Sequence, residues 1–135
     1  MASIHIERVV DAPADQVWDA IRDVGALHTR LVPGAVIDTV LEEDARLVTF
    51  TDGRVVREVF VGLDEARRRF VYSIRDARVD HHNGSNQVFD EGAGRCRFVW
   101  IVDVLPAAVA GRIEEMMNHS ADILKATLEQ AAPAS

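Results

Sequence analysis

The stretch VAGRIEEMMNHSADILKATL, residues 109–128, decides the fold. Val109, Ile113, Met116, Met117, Ala121, Leu124 and Leu128 recur at helical spacing, so they form one apolar stripe on a helix that follows Pro106. Over about 22 residues, at 1.5 Å of rise each, that helix is roughly 33 Å long, enough to cross a whole sheet. A long helix with a single apolar stripe needs a large apolar partner, and the only candidate is a concave sheet built from the residues before it.

Those residues read as such a sheet. Short branched or aromatic runs span Ala35 to Leu41, Leu47 to Thr51, Val55 to Leu63, Phe70 to Ile74, Asn83 to Phe89 and Cys96 to Leu105. The breaks between them, Glu43-Asp44, Asp52-Gly53, Asp64-Glu65 and Glu91 to Gly94, have hairpin character, which predicts an antiparallel meander. Residues Asp76 to His82 mix charge and histidine without period. Further upstream, Ile4 to Val10 predicts one more strand. Pro13 then opens a helix carrying Ala14, Val17, Trp18 and Ile21, which ends near Val24-Gly25. A second short helix or turn, Ala26 to Leu31, runs into Val32-Pro33-Gly34.

The 135 residues are 48% hydrophobic and 27% charged, with a single cysteine, Cys96. This is the composition of one globular unit over residues 1–135, with a flexible tail expected at 132–135. A chain of this size hides roughly two-thirds of its unfolded surface, so it needs neither disulfide nor structural metal. A net charge of −7 repels a phosphate backbone, which argues against nucleic-acid partners. Met1 to Glu7 has no basic start followed by an apolar run, and nothing approaches a membrane span, so a cytoplasmic location is expected. The sequons at Asn83 and Asn118 are then accidental. No zinc-protease, paired-cysteine or nucleophile-elbow pattern is present, and neither metal nor cofactor is expected.

Strand alternation narrows the chemistry. Val56, Glu58 and Phe60 share one face, opposite Val55, Arg57, Val59 and Val61, so either Glu58 or Arg57 points inward. A carboxylate facing an apolar pocket is a proton donor or acceptor, whereas on the outer face it forms a cross-strand ion pair. Cys96, Phe98, Trp100 and Val102 form the expected inner face of the last strand, with Val99 and Ile101 outside as an apolar hint of dimerisation or of a partner surface. Trp100 stacks on a ring-bearing ligand or is plain core. His81 and His82 point to opposite sides of their strand and cannot jointly bind a metal through it; which face of residues 83–89 is inner is not decided by the pattern.

The chain resembles the START-like superfamily that includes the birch pollen allergen type, and more closely its bacterial polyketide cyclase/dehydrase branch. The resemblance rests on Ala12-Pro13 through Val17-Trp18, Val32-Pro33-Gly34, Asp52-Gly53 with Arg57-Glu58, Asp64 with Tyr72, and Gly92 to Gly94 leading through Phe98-Val99-Trp100 to Leu105-Pro106. It covers nearly the whole length through loose motifs. It implies an α+β helix-grip fold: a seven-stranded curved antiparallel sheet around a long C-terminal helix, with two short helices after strand 1. It also implies an internal cavity for a small hydrophobic or aromatic ligand.

In that reading the family motif puts Glu58 inward. Trp100, Phe98, Phe60, Tyr72, Ile113 and Met117 are the expected apolar contacts, and Ser85 a polar one. His28 and Arg30 fall at the expected entrance, where Arg30 would hold a carbonyl oxygen and either Glu58 or His28 would move a proton. Related proteins often carry an aromatic near His28, which this chain lacks. Two functions stay open: ring closure or dehydration of a poly-β-carbonyl compound, and non-catalytic carriage of a lipid or quinone or docking of a partner protein.

Overall fold

The computed structural model describes residues 2–132. Strand β1, Ala2–Val10, is followed by helix α1, Ala14–Arg22, and by one π-helical turn, Leu27–Leu31. The meander then runs through β2 (Val36–Leu41), β3 (Ala45–Phe50), β4 (Val55–Asp64), β5 (Arg69–Ile74), β6 (His81–Gly92) and β7 (Arg95–Leu105). A 3-10 turn, Ala107–Val109, leads into α2, Ala110–Ala131. Every pairing is antiparallel, in the order β1-β7-β6-β5-β4-β3-β2. This is the helix-grip architecture expected from the sequence, with the second short helix reduced to a single turn. Of the expected tail, Ala132 packs against the core and residues 133–135 lie outside the described residues.

The pattern failed at the start of β6, which begins at His81 rather than Asn83. The extra residues pair with β7, His81 opposite Leu105 and His82 opposite Val104, so tertiary pairing overrides a locally polar sequence. Register shifts between Val36 and Asp38, Phe60 and Gly62, and Asp90 and Gly92 mark bulges, each of which bends its strand.

Two apolar clusters hold α2. The larger joins Val17, Trp18 and Ile21 of α1 to Phe70, Val88, Cys96 and Phe98 of the sheet and to Leu124 and Leu128 of α2. The smaller joins Met117 and Ala121 to Ile4, Ile6, Val102 and Val104. Each large side chain fully buried in this way contributes about 1.5–3 kcal/mol. The helix therefore packs chiefly along β1 and against the π-helical turn, and does not seat flat on the middle of the sheet. Open space remains under it, over β3 to β7.

The outer face of β7 is not the bare apolar surface that the sequence suggests. Val99 is buried and Ile101 half-buried, in register with Glu7 and Gln87 and with His5 and Ser85 respectively. Exposed apolar side chains lie mostly on β2 and β4, at Val40, Val55 and Val61 among others, with Val9 on β1 and Leu105 at the end of β7. Among the described residues no helix is long and apolar enough to cross a membrane.

Candidate functional site

The space between α2 and the sheet is a cavity of about 560 Å³. Its apolar walls include Val48, Val56, Tyr72, Ile74, Phe98, Trp100 and Val102 from the sheet, Leu27 and Leu31 from the π-helical turn, and Ile113, Met116, Met117 and Leu124 from α2. Strand alternation produces this lining: Phe98, Trp100 and Val102 recur every second residue on β7, and Val56 and Glu58 do so on β4.

Glu58 points inward and is buried, at 7% exposure. Directly opposite it in register on β3 is Arg46, at 3% exposure. Arg46 donates to Glu58 Oε1 from Nε at 2.8 Å, its Nη2 lies 2.8 Å from the same oxygen, and its Nη1 donates to the Val24 carbonyl at 3.1 Å. The guanidinium also sits 5.2 Å from the centre of the Phe70 ring. The cross-strand ion pair weighed for the outer face is thus made on the inner one. Both contacts fall on Oε1, so Oε2 has no hydrogen bond to another described residue.

Tyr72 lies at the centre of the wall. Its hydroxyl accepts a hydrogen bond from Trp100 Nε1 at 2.9 Å. Burial, with the nearby Glu58 charge adding to it, pushes the phenol well above its ordinary range, so it stays protonated. The ring fits because its partner across the pair is Gly84: a Cβ there would lie 2.4 Å from Tyr72 Cζ and Oη.

His82 is the third polar group of the wall. It is 8% exposed, lines the cavity, and makes no hydrogen bond to another described residue. Burial pushes its pKa down, opposed by the charges of Glu58 and Asp76 and assisted by that of His81. In the folded chain His82 therefore binds its proton more weakly than in the unfolded chain, where the value is about 6.5. The associated stability is complete above that value and is lost as pH falls through the lowered folded value. We expect His82→Leu to flatten the decline in urea-unfolding free energy between pH 7.5 and pH 5; an unchanged slope would remove this assignment.

Exposed and half-buried charges mark where the cavity reaches solvent. Asp52 and Arg54 come from the β3–β4 turn, with Arg54 Nε 3.0 Å from Asp52 Oδ2 and its guanidinium 4.8 Å from the Phe50 ring centre. Asp76 and Arg78, 2.5 Å apart, come from the β5–β6 loop, and Arg78 holds the Asp76 carboxyl down at about 2. Arg112 of α2 completes this rim and makes no ion pair with a described residue.

Six of the residues singled out from the sequence, Glu58, Tyr72, Phe98, Trp100, Ile113 and Met117, line this cavity. The others do not. His28 and Arg30 belong to the turn whose Leu27 and Leu31 face the cavity, since positions four apart share a helical face and those between turn away. His28 Nδ1 meets Thr39 Oγ1 at 3.0 Å, and Arg30 is held outside by Asp19 and Asp23. Ser85 faces outward because the inner positions of β6 are His82, Gly84, Asn86 and Val88. Phe60 packs against Phe70, ring centres 5.8 Å apart, and joins the core. Cys96 is also core, its thiol pushed up to about 11 by burial.

Arg46 and His82 were not singled out as site residues, although hairpin symmetry contained both. The β3–β4 register is centred on Asp52 itself, which puts Arg46 opposite Glu58, and carrying the alternation of Trp100 and Val102 across to β6 puts His82 on the inner face. Among the described residues no cluster of histidine, cysteine or carboxylate side chains could hold a metal ion.

The family described as polyketide cyclase / dehydrase and lipid transport matches residues 1–129. The chain belongs to this family. Solved structures share its fold at low identity. A protein of Bacillus thuringiensis has a TM-score of 0.85 and 19% identity, over 94% of this chain and 98% of that one. The di-domain ARO/CYC protein BexL, from the BE-7585A biosynthetic pathway, has a TM-score of 0.84 and 18% identity, over 96% of this chain and 47% of that one. Norcoclaurine synthase of Thalictrum flavum, in complex with dopamine and hydroxybenzaldehyde, has a TM-score of 0.72 and 20% identity, over 96% of this chain and 85% of that one. No curated protein matches the chain in sequence.

Proposed function

We propose that this member of the family binds a small hydrophobic or aromatic metabolite in the cavity under α2. The observation that carries this reading is an apolar chamber of about 560 Å³ with a few convergent polar groups, Glu58, Tyr72 and His82, on one wall. Chambers of roughly 300–1,000 Å³ with this mixture suit small-molecule ligands. In this reading Trp100, Phe98, Tyr72, Ile113 and Met117 hold the apolar body. The family description and the neighbouring ARO/CYC protein make ring closure or dehydration of a poly-β-carbonyl compound the reaction to test, with the uncommitted Oε2 of Glu58 as proton acceptor.

One observation favours a second reading, carriage without catalysis: Arg46 already occupies the other oxygen of Glu58. Glu58→Gln separates the two, since loss of turnover with binding retained supports the enzyme and an effect on binding alone supports the carrier.

The chamber itself is tested by native mass spectrometry of protein from its own host together with a filling variant. We expect a retained small molecule, and at least about tenfold weaker binding of β-naphthol by Ile113→Trp in calorimetry, because the larger ring takes up ligand space. No adduct, no naphthol binding and no effect of the variant would end the ligand-binding reading.

A further inference from the structure

Three polar groups on the cavity wall have unused hydrogen-bonding capacity. The His82 imidazole is more than nine-tenths buried and bonds to no described residue. Glu58 receives both Arg46 contacts on Oε1, leaving Oε2. Tyr72 accepts from Trp100, and its own proton reaches no described acceptor. The groups are neighbours by register: Glu58 pairs with Ile74 on β5, Tyr72 pairs with Gly84 on β6, and His82 lies two residues before Gly84 on the same face. The imidazole nitrogens open onto the cavity, so their hydrogen-bond partner comes from what fills it, and a wholly apolar occupant would leave them unpaired at a cost that leucine at the same place would not carry.

The geometry points to a ligand that carries a hydroxyl group on its apolar body, seated against His82. This deepens, and rests on, the cavity reading above. The chemistry of the wall selects the group. Glu58 Oε2 only accepts, the Tyr72 proton only donates, and a neutral imidazole does one at each nitrogen. A carbonyl would satisfy the donors and leave Oε2 facing apolar matter. A carboxylate would meet the Glu58 charge at close range. An ether accepts but cannot donate. A phenolic or enolic hydroxyl can accept from His82 or Tyr72 while giving its proton to the wall, so it is the one group of the four that meets both needs.

The test compares β-naphthol, its methyl ether and naphthalene-2-carboxylate by calorimetry on the whole protein. A site that hydrogen-bonds a hydroxyl and is left unpaired by the analogue discriminates by about tenfold or more, so naphthol is expected to bind at least that much more tightly than the ether. His82→Leu is expected to remove the difference by weakening naphthol binding while leaving the ether unchanged, and His82→Gln to restore part of it. A readout independent of stability is the His82 ring-nitrogen resonance in NMR, which should shift further with naphthol, through the added hydrogen bond, than with the ether, which shares the naphthyl ring current. Equal binding of naphthol and ether to the wild type, tighter binding of the carboxylate, or undiminished discrimination in His82→Leu would overturn the proposal while leaving the chamber intact. Failure of all three probes to bind would overturn the chamber and the proposal together.

Discussion

Arg46→Met is expected to destabilise the protein by about 3–5 kcal/mol in urea unfolding at neutral pH, the usual consequence of leaving a buried carboxylate without its counter-charge. Arg46 and Glu58 are 3% and 7% exposed, and the guanidinium also satisfies the Val24 carbonyl and lies against Phe70, so its loss removes packing as well as charge. The double variant Arg46→Met/Glu58→Leu separates these contributions. Replacing both ions by apolar groups removes the desolvation cost of each, so the double variant should recover most of the loss, to within about 1 kcal/mol of the wild type or beyond it. Recovery of stability without recovery of ligand binding would show that the pair is kept for the cavity's chemistry. A double variant as unstable as the single one would mean that packing by Arg46 outweighs the charge.

Gly84→Val is expected to cost about 1–3 kcal/mol through overpacking, although valine ordinarily suits a strand better than glycine. The reason is local: even a Cβ at this position falls 2.4 Å from Tyr72 Cζ, and the tyrosine is fixed in turn by Trp100. Displacing the ring should break the Trp100 hydrogen bond, so a change in tryptophan emission should accompany the loss of stability. Gly62→Ala is the control. There the nearest side-chain atom is 4.0 Å from an added Cβ, and alanine should be neutral or stabilise by about 0.5–1 kcal/mol. Equal effects at the two glycines would show that space around Tyr72 is not the determinant.

Much of the fold was legible because long periodic signals set it. The stripe from Val109 to Leu128 specifies a helix that needs a sheet, and the turn chemistry at Asp52-Gly53 and Glu91 to Gly94 makes that sheet a meander. The site was less legible, for a reason visible in individual residues. Which side of a strand faces inward follows from period-2 alternation, and this placed Phe98 and Trp100 from the sequence. Which inward group meets which depends on register, and neither the Arg46–Glu58 pair nor the Tyr72–Gly84 fit is visible until strands are aligned. His28 and Arg30 show the opposite error: polar residues beside an expected entrance drew attention, while the neighbouring Leu27 and Leu31 are the ones that turn inward.

The two clusters under α2, bridged by Trp100, have an evolutionary corollary. Apolar wall positions such as Val56 border the chamber yet belong to neither cluster. Changes at such positions reshape the hollow without loosening the anchors at either side, so selectivity for cargo can drift while the scaffold persists.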